Sequence, residues 1–160
     1  MACDWVKSSR EKVVRAVFEK LDRMEIPKNA AFVFDIDHTL IDETGMPIEP
    51  VVQLFHTVKK LGIHPVIITA RTGTPEVIKW TQDQLKHFGI TGQKFTYLLS
   101  PGKTDPWKYK HIARKNVHER GLHVIMSIGD QPWDLGEYGG IGFQLPRCDS
   151  PDQFISQYFG

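Results

Sequence analysis

A chain of 160 residues fits one domain of about 150 residues, large enough to bury roughly 70% of its unfolded surface without a metal or a disulfide. With 41% hydrophobic and 24% charged residues it is neither disordered nor collagen-like. Lys and Arg number 20 against 19 Asp and Glu, so the net charge is +1 and no global field draws the chain onto nucleic acid or an acidic membrane.

Ser8 and Glu11 spell a capping box ahead of a helix with Val14, Val17, Phe18 and Leu21 on one face, and Pro27 and Asn29 break it. Ala31 to Phe34 reads as a short buried strand. Pro50 then opens a helix carrying Val51, Leu54, Phe55 and Val58, which Gly62 closes. The β-branched Val66, Ile67 and Ile68 read as a second strand. Thr74 and Pro75 start a helix with Val77, Ile78, Thr81, Leu85 and Phe88 inward and Gly89 as its stop. Phe95 to Leu99 is a third strand, and Asp105 and Pro106 open a helix that Gly121 ends. His123 to Ile128 and Ile141 to Leu145 are the fourth and fifth strands. Ser150 and Gln153 form another capping box before a short final helix.

The order helix, then β-α-β-α-β-α-β-β-α, predicts an α/β fold with a mostly parallel central sheet and helices on both faces. The two cysteines, Cys3 and Cys148, form no Cys-x-x-Cys pair, so neither a disulfide scaffold nor a structural zinc site is expected. The start of the chain does not read as a secretory signal, and the longest purely apolar run, Ala30 to Phe34, is far too short to cross a bilayer. The expectation is a soluble cytoplasmic protein.

Ligands of parallel α/β sheets bind at the carboxyl ends of the strands. There the first strand runs into Asp35-Ile36-Asp37-His38-Thr39, the second into Thr69-Ala70-Arg71, and the fourth into Gly129-Asp130-Gln131-Pro132-Trp133-Asp134. Four carboxylates, two hydroxyls and an arginine thus converge on one edge. Crowded carboxylates raise one another's pKa. A hard divalent cation relieves that cost, and an oxygen-only donor set favours Mg²⁺.

These residues, with Lys110 between the second and third of these segments, resemble the haloacid dehalogenase (HAD) superfamily of aspartate-nucleophile phosphatases. Phe34-Asp35-Ile36-Asp37, Tyr109-Lys110 and Gly129-Asp130-Gln131 with Asp134-Leu135 are most similar to the class B and plant vegetative storage protein type of acid phosphatase. The resemblance runs from about Trp5 to Pro146. It implies a Rossmann-like three-layer sandwich spanning residues 1–160 as one HAD-like domain, with residues 1–29 as an N-terminal helix packed on the core.

The resemblance also implies roles. Asp35 is the nucleophile that forms an aspartyl phosphate. Asp37 protonates the leaving group and then takes a proton from the attacking water, which calls for partial burial and neighbouring carboxylates. Thr39 orients Asp37. Mg²⁺ is held by Asp35, Asp130 and the backbone carbonyl of Asp37, with Asp134 acting directly or through water. Thr69 and the Ala70 amide donate to phosphoryl oxygens, and Lys110 is the cation beside them, preferred over Lys103 and Lys108. Arg71 either clamps a distal anion or bridges to a loop acid. Trp107 and Trp133 either stack a leaving group or pack on the loops.

Other patterns fail. Gly102-Lys103-Thr104 lacks the first glycine of a P-loop, since Tyr97 stands there, and Asp35 to Gly45 lacks the sixth-position glycine of an EF-hand. The late Gly136 to Gly142 stretch lacks the strand-loop-helix order of a dinucleotide site. The order of acids and lysine disfavours a bacterial receiver domain.

Only about two dozen residues separate Thr39 from the second strand, so there is minimal or no cap. An uncapped site admits a phosphorylated macromolecule, or a phosphorylated small molecule under the roof of a homo-oligomer. No membrane and no extended nucleic-acid surface is expected. The function expected is a Mg²⁺-dependent phosphomonoester hydrolase. The alternatives are a non-catalytic phosphate-binding or storage-type protein, disfavoured by the intact Asp35, and a polynucleotide- or protein-end phosphatase. Phosphomutase chemistry ranks below these because no cap is visible.

Overall fold

A computed structural model describes residues 4–147. Cys3, Cys148 and the expected final helix after Ser150 lie outside the described residues. Strands β1 (Ala30–Phe34), β2 (His64–Thr72), β3 (Phe95–Leu99), β4 (His123–Gly129) and β5 (Ile141–Gln144) form one sheet in the order β3-β2-β1-β4-β5. Every pairing is parallel.

All five residues of β1 are buried, as a central strand covered on both faces requires. Its side chains alternate between two cores. Phe32 and Phe34 join Val14, Val17, Leu54 and Phe55, contributed by α1 (Asp4–Arg23) and α2 (Glu49–Lys60). Leu85 of α3 (Pro75–His87) belongs to the same core. Ala31 and Val33 face the other way, onto Ala113 and Val117 of α4 (Pro106–Glu119). The result is a helix–sheet–helix sandwich of the expected class.

Two expectations are corrected here. Ser8 and Glu11 do not cap the first helix, which already runs at Asp4. The buried stripe Val6, Arg10, Val14, Val17, Leu21 explains this, because it begins two residues upstream of Ser8. In α3 Thr81 and Leu85 are buried and Phe88, just past its end, packs against the core as expected, whereas Val77 and Ile78 are only half-buried. The expected N-caps do hold: Thr74 Oγ1 accepts from the Val77 amide at 3.4 Å, and the Asp105 carboxylate accepts from the Lys108 amide at 3.2 Å.

The chain passes from β1 outward to β2 and β3, then returns across β1 to β4 and β5. The direction of winding reverses between β1 and β4, and a crevice opens at their carboxyl ends. The Asp35 amide donates to the Ile128 carbonyl at 3.2 Å and ties those two ends together. Between β4 and β5, residues 130–140 hold only a 3-10 turn, Pro132–Asp134. That loop is fixed by the buried Arg114 of α4, whose Nη1 donates to the Trp133 carbonyl at 2.9 Å and whose Nε donates to the Glu137 carbonyl at 3.0 Å. The connections at the sheet's carboxyl edge are short: residues 35–48 hold only isolated bridges, and residues 73–74 join β2 to α3. No helix among the described residues is long and apolar enough to cross a membrane.

Candidate active site

The loops after β1 and β4 bring Asp35, Asp130 and Asp134 together at the crevice. All three are buried, and one carboxylate oxygen of each lies within 4.8 Å of those of the others. Asp134 reaches this position because the 3-10 turn folds its side chain back, where Oδ2 accepts from the Gln131 amide at 3.0 Å. It passes so close over Gly129 that a Cβ there would collide with the Asp134 side chain. Burial, and then the charge of Asp35, push Asp130 up to about 9 and Asp134 up to about 7. The acids resist ionising together, and an all-oxygen donor set of this kind fits a hard divalent cation that would relieve the crowding.

Lys110 supplies the buried positive charge. It lies on the inward stripe of α4 with Ala113, Arg114 and Val117, a spacing of three, four and seven residues that points one helix face at the sheet. Its Nζ donates to Asp35 Oδ1 at 2.9 Å, to Asp134 Oδ1, and to the Ile68 carbonyl at 3.1 Å. Burial opposes the charge on Lys110, but Asp35 and Asp134 outweigh it and hold its pKa above the ordinary lysine range. Lys103 and Lys108 are exposed. The preference for Lys110 over these two thus has a physical basis in the register of α4.

Thr69, at the carboxyl end of β2, is buried, and its Oγ1 accepts from the Arg71 amide at 3.2 Å. Its hydroxyl hydrogen remains available to an acceptor in the crevice. Ala70 is exposed beside it.

Asp37 is placed differently from expectation. Its side chain is 51% exposed, and its partner is Arg71 and not the neighbouring carboxylates. Arg71 Nε donates to Asp37 Oδ2 at 2.9 Å and Nη2 to Asp37 Oδ1 at 2.8 Å, a bidentate fork. The loop-acid reading of Arg71 therefore describes this structure. The expectation that Thr39 orients Asp37 is also corrected: Thr39 is buried, and its hydroxyl has no hydrogen-bond partner among the described residues. The physical reason is the fork itself, which turns the Asp37 carboxylate toward β2.

Trp107 and Trp133 meet edge to face with ring centroids 5.9 Å apart. Trp107 stays 56% exposed. Sequence reasoning missed Arg147, whose Nε lies 3.6 Å from Asp130 Oδ2 and which lowers the pKa of that acid. No sequence spacing links Arg147 to the motif, because the contact joins the residues beyond β5 to the end of β4. Tyr109 marked the family resemblance but was given no role in the site; its buried hydroxyl has no partner among the described residues, and its pKa is raised by burial and then by Asp35.

The parallel sheet carries acidic loops after its first and fourth strands, with the buried Lys110 between them, so the site combines a cation with a cluster of carboxylates. The family described as HAD superfamily, subfamily IIIB (acid phosphatase), matches residues 43–156, and the chain belongs to this family. That stretch contains Thr69, Lys110, Asp130 and Asp134 and begins after Asp35 and Asp37. Two Arabidopsis thaliana proteins are similar. Vegetative storage protein 1 is 32% identical over 105 residues, covering 64% of this chain and 37% of the relative. Vegetative storage protein 2 is 31% identical over 105 residues, covering 64% of this chain and 38% of the relative. The chain therefore spans well under half the length of these curated relatives. Among solved structures, a chain of a Pnkp1/Rnl/Hen1 complex superposes with a TM-score of 0.60 at 15% identity, covering 78% of this chain and 49% of that one, a likeness of fold.

Proposed function

We propose that this protein is a Mg²⁺-dependent phosphomonoesterase that works through a phosphoryl group on Asp35. Membership in an acid phosphatase family supports a phosphatase. The observation that carries the finer reading is the buried contact of Lys110 with both Asp35 and Asp134 beside Asp130. The Lys110 ammonium fixes one Asp35 oxygen at 2.9 Å, and a carboxylate nucleophile needs that kind of positioning.

In the first half-reaction an Asp35 oxygen bonds to phosphorus as the bond to the leaving oxygen breaks. The departing electron pair takes a proton from the Asp37 carboxyl group. In the second, a water oxygen bonds to phosphorus and gives its proton to Asp37, and the bond to Asp35 breaks. The sum is ester plus water giving alcohol plus phosphate. Thr69 and the Ala70 amide donate to the phosphoryl oxygens, and Lys110 offsets their charge.

The metal would be held by Asp35, Asp130, Asp134 and the backbone carbonyl of Asp37. When bound it supplies charge neutralisation between nucleophile and phosphate. The exposure of Asp37 supports a site open to bulky esters, a phosphorylated macromolecule included, with a second copy of the chain as a candidate roof. The relatives' names favour a second reading, a storage-type protein that keeps the fold without turnover. Turnover of an aryl phosphate with Mg²⁺, abolished by EDTA and by Asp35→Asn, is the expected result. Well-folded wild-type protein with no turnover would favour the storage reading.

A further inference from the structure

We infer that Arg71 is a positioning residue for Asp37, and that Trp80 and Thr81 of α3 hold it in that task. The inference rests on the phosphatase reading above and concerns how its second half-reaction is served.

The Asp37 carboxylate is 51% exposed, and left alone it would move among rotamers in solvent. The guanidinium of Arg71, whose side chain is 7% exposed, fixes both its distance and its plane through two parallel hydrogen bonds. Arg71 is itself fixed on its remaining sides. Its Cζ lies 4.5 Å from the centroid of the Trp80 ring, and its Nη1 donates to Thr81 Oγ1 at 3.2 Å. A chain of contacts thus runs from α3 through the end of β2 to the loop after β1. With both outer edges of the guanidinium engaged, the arginine is built into the fold and not left reaching for an anion.

The chemistry gives this restraint a use. In-line displacement brings the water in where the leaving oxygen went out. One fixed carboxylate therefore serves that apical position in both half-reactions. In the second half-reaction the same carboxylate takes the proton of the incoming water, so its position decides how well that step is served. Misplacement by about 1 Å costs roughly 10²-fold in rate.

The test uses p-nitrophenyl phosphate, whose leaving group departs without a proton from the enzyme, in rapid-quench and steady-state assays. Arg71→Gln and Trp80→Ala are compared with wild type, after far-UV circular dichroism shows each folded. For Arg71→Gln the burst of p-nitrophenol should keep its wild-type rate while steady-state turnover falls roughly 10²-fold. Trp80→Ala should give a smaller fall of the same kind. In an Asp37→Asn background Arg71→Gln should have no further effect, since the group it positions is gone. A slowed burst, weaker inhibition by inorganic phosphate, and effects that add to those of Asp37→Asn would overturn the inference and make Arg71 a phosphate clamp. Wild-type protein without turnover would overturn the phosphatase reading itself, and this inference with it.

Discussion

Lys110 shows what a single residue contributes to this site. Its ammonium is 2% exposed and stands between two buried acids. Lys110→Met removes the cation and leaves those carboxylates facing one another, so it should destabilise the metal-free protein by about 3–5 kcal/mol. Urea denaturation in EDTA measures this, and divalent metal should restore part of the loss. The raised acids predict a pH dependence as well. Between the ordinary value of 3.8 and the raised values of about 9 for Asp130 and about 7 for Asp134, the folded protein holds protons that the unfolded chain has released. Stability of the metal-free protein should therefore fall as pH rises through that window. Denaturation midpoints in EDTA at about pH 5 and about pH 8 test the sign. A cation on the same acids should reverse the trend. At this scale the sequence made Asp35, Thr69, Asp130 and Asp134 legible because each follows a strand, whereas Lys110 was picked out by the resemblance of the Tyr109-Lys110 pair, and its inward register on α4 emerged only from the structure. The partner of Arg71 was not legible, since a fork to phosphate and a fork to Asp37 ask for the same residue in the same place.

Elements position these residues through close backbone approach. The clearest case is the end of β4, where Gly129 lets the Asp134 side chain lie against the main chain. Gly129→Ala forces that carboxylate away. The expected outcome is a loss of about 1–3 kcal/mol in stability, typical of overpacking, together with weakened divalent metal binding, read by thermal unfolding and by calorimetric titration. Unchanged metal affinity would mean that Asp134 is not a ligand. Element boundaries were legible wherever a cap or a glycine marks them, as at Thr74, Asp105 and Gly121. They were not legible at the start of α1, where a good capping box at Ser8 is overridden by the burial of Val6 two residues earlier. The half-buried Val77 and Ile78 show the same limit: a helical apolar pattern names a face but not how deeply that face is covered.

Across the whole molecule, the reversal of winding between β1 and β4 puts one crevice where acids from distant parts of the chain can meet. Short connections leave that crevice open on the side of Asp37. The alternation of strands and helices made this layout readable from the sequence, including the order in which acids, hydroxyl and lysine arrive. The link from Arg147 to Asp130 was hidden because it joins the end of the described chain to a strand it does not follow. The proposed mechanism puts the phosphoryl group on Asp35 during turnover. The most direct measurement is mass spectrometry of acid-quenched Asp37→Asn protein after exposure to p-nitrophenyl phosphate and Mg²⁺, because slowed hydrolysis should let the intermediate accumulate. A phosphoryl mass increment on the peptide containing Asp35, absent when Asp35 is also changed to Asn, is the predicted result. Turnover with no phosphoryl group on Asp35, or with one on a histidine instead, would contradict the account.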